Sequence, residues 1–101
     1  MSGTDLKQRL AAILAADVAG YSRLMAADDR ATVSALDAAR RVFRSGIEAN
    51  QGRVIDMAGD SVLAVFETAT GAVSAALSIQ KEINRAGEKI PEDRRMRFRI
   101  G

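Results

Sequence analysis

Apolar residues run without a break from position 10 to position 18 except at Asp17, and Gly20 closes the run. So short an apolar stretch ended by a glycine predicts a buried β-strand. Beyond it, Asp28 and Asp29 are suited to accept hydrogen bonds from the free amides of a helical first turn. Val33, Leu36, Phe43 and Ile47 then recur at spacings that share one helical face. That helix is expected to end at Asn50-Gln51-Gly52, with Gly52 in the left-handed cap. Arg40, Arg41, Arg44 and Glu48 fall on or beside its polar side, as a solvated face requires. Residues 53–57 and Ser61–Phe66 are two short segments around Ala58-Gly59-Asp60, and they predict a hairpin with Asp60 at or beside its tip. The unbroken apolar run from Val62 to Phe66 predicts a strand covered on both faces. Thr68 is expected to cap a second long helix, with Ala69, Ala72, Val73, Ala76, Ile79 and Ile83 along one face and Gly87 as its stop. A charged loop over 88–95 holds the sole proline, and Met96, Phe98 and Ile100 then alternate with Arg97 and Arg99 as a last strand.

Strand, helix, strand, strand, helix, strand, with a tight link between the central strands, is the order of a split βαβ, ferredoxin-like α/β fold. The 101 residues make one domain or part of one, read as a loose segment over 1–9 and a folded unit over 10–101. Hydrophobic residues reach 48%, yet 19 are alanine and only 24 are Leu, Ile, Val or Phe, so independent stability is expected to be modest. Lys7 and Arg9 ahead of the apolar run imitate a signal peptide, but Asp17 interrupts it far short of the roughly 20 residues that a membrane span needs. A soluble, cytoplasmic chain with no membrane segment is the expectation.

Composition narrows the chemistry. The chain has no Cys and no His, which excludes thiolate catalysis, the Ser-His-Asp triad and an imidazole metal site. Any bound metal must be held by oxygen and is therefore a hard ion, Mg²⁺ or Mn²⁺. A net charge of +2 with 4% aromatics gives neither a basic stripe nor a base-stacking platform, so nucleic acid is not an expected partner.

Two carboxylates stand out. In Ala16-Asp17-Val18-Ala19-Gly20-Tyr21-Ser22 an acidic residue closes the first strand and a glycine turn follows. A helix starting there would present free amides to an anion beside the carboxylate. Met57-Ala58-Gly59-Asp60-Ser61 puts the second carboxylate on the hairpin, beside the first strand in this topology. Two acids so placed suit a cation between them. Each motif alone reads first as an ordinary turn.

Together and in this order they resemble the class III adenylate and guanylate cyclase catalytic domain. The residues that carry the resemblance are Asp17-Val18-Ala19-Gly20-Tyr21-Ser22, then Gly52-Arg53-Val54-Ile55 leading into Gly59-Asp60. The helix over 68–84 with Gln80 near its end, and the run Arg94-Arg95-Met96-Arg97-Phe98-Arg99-Ile100-Gly101, complete it. The resemblance implies that Asp17 and Asp60 ligate two Mg²⁺ or Mn²⁺ ions, that Val18 offers its carbonyl to one, and that amides of Ala19, Gly20, Tyr21 and Ser22 hold the triphosphate. Asp56 stands where many adenylate cyclases have a base-reading Lys and guanylate cyclases a Glu. A carboxylate accepts from guanine N1–H but not from unprotonated adenine N1. A similar Asp is also familiar in bacterial relatives called adenylate cyclases, so ATP is favoured slightly over GTP. The resemblance further implies a homodimer with shared sites, and transition-state Asn and Arg residues beyond the equivalent of Ile100, so the 101-residue chain is expected to be inactive alone. The rival readings are a non-catalytic dimerisation or regulatory module on the same fold, and another two-metal phosphoryl-transfer enzyme on a related palm-like sheet, such as a diguanylate cyclase. The latter lacks support, because no Gly-Gly-Asp/Glu-Glu-Phe hairpin occurs here.

Overall fold

Along the chain the described elements are β1 (Ala12–Val18), α1 (Tyr21–Ala27), α2 (Asp29–Ala49), β2 (Gly52–Asp56), β3 (Ser61–Phe66), α3 (Ala69–Gly87) and β4 (Phe98–Ile100). They belong to a computed structural model that describes residues 12–92 and 95–101. The segment over 1–9 and the first two residues of the expected opening strand lie outside the described residues. The strands form one antiparallel sheet in the order β2-β3-β1-β4. That is the ferredoxin-like order expected from the sequence, with β1 and β2 parallel across β3, and β3 and β4 parallel across β1.

Local chemistry explains the helix starts. Asp28 accepts at 3.0 Å from the Ala31 amide to open α2, and the Thr68 hydroxyl accepts at 2.9 Å from the Gly71 amide to open α3. Along α2 the buried positions are Thr32, Leu36, Ala39, Phe43 and Ile47, and along α3 they are Ala75, Ile79 and Ile83. These stripes pack with Leu14, Ala16, Val18, Val62, Ala64, Phe66 and Phe98 into one core, in which the rings of Phe43 and Phe98 lie 4.9 Å apart. Fully buried Ala64 and Ala75 are too small to hold α3 away from the sheet, which is what the many alanines provide.

Several details differ from the sequence expectation, each for a physical reason. The connection from β1 to β2 carries two helices. Thr32, not Val33, is the buried residue at their junction, because its hydroxyl reaches the carbonyls of Asp28 (2.7 Å) and Leu24 (2.9 Å), while Val33 is 46% exposed. On α3 the stripe is rotated, so Val73 is exposed and Ala75 takes the buried place. The left-handed residue after α2 is Gln51, with φ 60°, and Gly52 opens β2 instead, against Phe66 and Ile47 where a Cβ would not fit. Strand β3 is not covered on both faces: Val62, Ala64 and Phe66 are buried while Leu63 is exposed, since every helix in the core packs on one side. The last strand is shorter than 96–100 and begins at Phe98. No helix among the described residues is long and apolar enough to cross a membrane.

Candidate functional site

The open face of the sheet carries most of the candidate site's charged side chains. Because Leu14, Ala16 and Val18 point into the core, alternation sends Ile13, Ala15 and Asp17 to the other side. Asp17 pairs in register with Ser61 of β3 on one flank and with Arg99 of β4 on the other. Arg99 Nε donates to Asp17 Oδ1 at 2.8 Å.

Asp56 reaches the same face through an irregularity. Val54 pairs with Ala64, and the next pair is Asp56 with Leu63, so Ile55 is an extra residue in β2. Such a bulge reverses the alternation of the residues after it. Asp56 thereby joins Asp17, Ser61, Leu63 and Arg99 around a shallow depression of about 380 Å³.

Asp60 does not line that depression, but its backbone is tied to β1. The Val18 amide donates to the Asp60 carbonyl at 3.1 Å, one step beyond the Asp17–Ser61 pair. The structure therefore brings the chain at Asp17-Val18 against the chain at Asp60-Ser61. No group of three or more His, Cys, Asp or Glu comes together among the described residues. Two carboxylates with waters and substrate phosphates are, however, how Mg²⁺ is ordinarily held, so the acids present fit a hard cation that arrives with a nucleotide.

At the end of β1, Gly20 takes φ 66° as the N-cap of α1, a conformation that suits glycine and reverses the chain from strand into helix. No side chain caps this helix. The Ala19 amide already donates to the Arg97 carbonyl at 2.8 Å, which removes it from the expected phosphate-binding set and leaves Gly20, Tyr21 and Ser22. With only seven residues, α1 adds little dipole, so any anion binding there would come from individual N–H groups.

No family model matches the chain. The curated protein named "Putative adenylate cyclase 3" from Rhizobium meliloti (strain 1021) is 41% identical over 102 residues, covering all of this chain and 17% of that protein. The crystal structure of an adenylate/guanylate cyclase/hydrolase from Silicibacter pomeroyi matches with a TM-score of 0.78 at 38% identity, over 88% of this chain and 52% of that one. The chain belongs with the class III nucleotide cyclase catalytic domains. A bacterial light-regulated adenylyl cyclase shares the fold at a TM-score of 0.78 and 22% identity, over 88% of this chain and 28% of that one. This cyclase-family chain thus spans about half of the Silicibacter structure and a much smaller share of the Rhizobium protein.

Arg99 is the residue that sequence reading did not place in the site. Its alternation with Phe98 and Ile100 signalled an outward-facing position, but the pairing with Asp17 depends on the β4–β1 register. The Arg99 and Asp17 side chains are 72% and 48% exposed, so the ion pair is worth no more than about 1 kcal/mol. Arg99→Ala should leave the urea midpoint close to wild type. Phe98→Ala, which removes a ring packed on Phe43, should cost about 3–5 kcal/mol in the same denaturation experiment.

Proposed function

We propose that this chain supplies the metal- and triphosphate-binding half of a nucleotide cyclase site. The whole protein would convert ATP, or alternatively GTP, into the cyclic nucleotide and pyrophosphate. The observation that carries this reading is the meeting of Asp17, Asp56 and Arg99 on one open face, with the Asp60 backbone bonded to the adjoining Val18. The names of the relatives, adenylate cyclase and adenylate/guanylate cyclase/hydrolase, support the same chemistry.

In this proposal the ribose 3′-oxygen attacks the α-phosphorus, the bond to the β-phosphate oxygen breaks, and the hydroxyl proton is lost to solvent. Asp17, Asp60 and the Val18 carbonyl would hold two Mg²⁺ or Mn²⁺ ions, and amides of Gly20, Tyr21 and Ser22 would hold phosphate oxygens. When bound, such ions make the 3′-hydroxyl more acidic and offset charge on the leaving pyrophosphate. Arg99, paired with Asp17 across the β1–β4 ladder, would serve as a second cationic group for the phosphates. Asp56 faces the base, and two chains pair to complete each site. The Asp17–Arg99 pair also favours one rival: a carboxylate already neutralised by an arginine suits a non-catalytic dimerisation module.

Three measurements test these assignments. Mn²⁺ titrated calorimetrically should bind the wild-type chain, weakly without nucleotide, and lose affinity in Asp17→Ala and Asp60→Ala. Equal binding by all three would remove the metal role and leave the non-catalytic module. In the full-length protein, Asp56→Lys should move the ratio of ATP to GTP turnover toward ATP, and an unchanged ratio takes Asp56 out of base recognition. Light scattering over a range of concentrations should give a dimer mass, against which a constant monomer mass would count.

A further inference from the structure

Arg40, in the middle of α2, reaches across to the hairpin that carries Asp60. Its Nη2 donates to the Gly59 carbonyl at 2.6 Å, while Nη1 stands 3.5 Å from Asp37 Oδ1. The side chain is two-thirds buried, and its Nε is enclosed without a hydrogen-bond partner. Leaving a guanidinium N–H unsatisfied is unfavourable, and the Gly59 carbonyl is the short contact that offsets it at the other end of the group.

The hairpin turn has three successive carbonyls, and each is engaged differently. That of Ala58 accepts from the amide and hydroxyl of Ser61, both at 3.1 Å, within the turn itself. That of Asp60 accepts from the Val18 amide on β1. The carbonyl of Gly59 is held by a side chain from a separate element, 19 residues away. Gly59 takes φ 57° with nothing within 4 Å of where a Cβ would stand, so no side chain packs the turn at that residue, and its carbonyl is held by Arg40. The Gly59 carbonyl and the Asp60 amide share that plane. Fixing the oxygen therefore sets the backbone from which the Asp60 carboxylate projects.

We infer that Arg40 is a positioning residue for Asp60, acting through the Gly59 carbonyl. The inference rests on the proposed metal role of Asp60 and is tested in the same chain with Mn²⁺ as the probe. Arg40→Met keeps the apolar stem and removes the donors, and Arg40→Lys restores one donor. Outer-shell partners of metal ligands are worth about 10–100-fold in affinity. Arg40→Met should accordingly weaken Mn²⁺ binding about tenfold, and Arg40→Lys should recover part of it at the same urea midpoint. In an Asp60→Ala background Arg40→Met should change nothing further. Wild-type Mn²⁺ affinity in Arg40→Met, while Asp60→Ala binds measurably more weakly, would overturn the positioning role and leave the metal site intact. An equal loss from Arg40→Met with and without Asp60 would overturn it too, because Arg40 would then act elsewhere. If Asp60→Ala itself binds as the wild type does, the metal reading fails and this inference with it.

Discussion

Strand β1 runs between β3 and β4, and its register against both is the constraint on which the rest depends. Leu14 and Val18 are each 2% exposed on its core side, whereas Asp17 faces the open side. A slip of one residue would exchange the two sets. It would carry Asp17 into an apolar core that offers no counter-ion and expose two large side chains, and unpaired burial of a carboxylate alone is prohibitive. The hydrophobic effect thus places a charged residue it never touches. Once Leu14 and Val18 are buried, Asp17 must face the open side, and there the observed register sets it opposite Ser61 and Arg99.

Strict alternation would work against Asp56. It follows Val54 by two positions, and Val54 belongs with the partly buried residues against the core, so without the extra residue Asp56 would share its side. The bulge at Ile55 interrupts that parity. It sits on β2, an edge strand, where one side of the ladder is open and an unpaired residue disturbs no second neighbour. The edge strand absorbs the irregularity that the central strand β1 could not. The same strand then leads into the turn at Gly59 and Asp60, whose backbone is held by β1 on one side and α2 on the other.

How far the sequence carried this result follows from which interactions are local. Asp28 and Thr68 cap helices through bonds to residues three positions away, and both were readable from residue type and position. Ser61–Phe66 matched as an element because its apolar run is bounded by turn residues. The failures all involve contacts between elements. Thr32 is buried because its hydroxyl meets carbonyls at the end of another helix, and Leu63 is exposed because no helix covers the second face. Neither fact is written in local periodicity. Asp17, Asp56 and Asp60 were marked by motif order, but the face that Asp56 occupies depends on a bulge, and the partner of Asp17 on the pairing of β4. Arg40 was read as part of a solvated helix face, because nothing in the spacing of α2 shows that a hairpin from later in the chain comes to rest against it.

The strength of the Asp17–Arg99 pair bears directly on the proposed chemistry. Had it been buried, removing either partner would strand a charge in low dielectric at a cost of about 3–5 kcal/mol, and a cation would have to compete with that. Both side chains are instead substantially hydrated, where such pairs contribute at most about 1 kcal/mol. Under the proposed function, a divalent ion with twice the charge of the guanidinium would displace it at little expense in fold stability. Arg99 would then remain anchored on β4, one strand from Asp17, and would be available to anionic oxygens arriving with the ion. Exposure makes the pair exchangeable, and the sheet keeps both partners within reach of whatever replaces it.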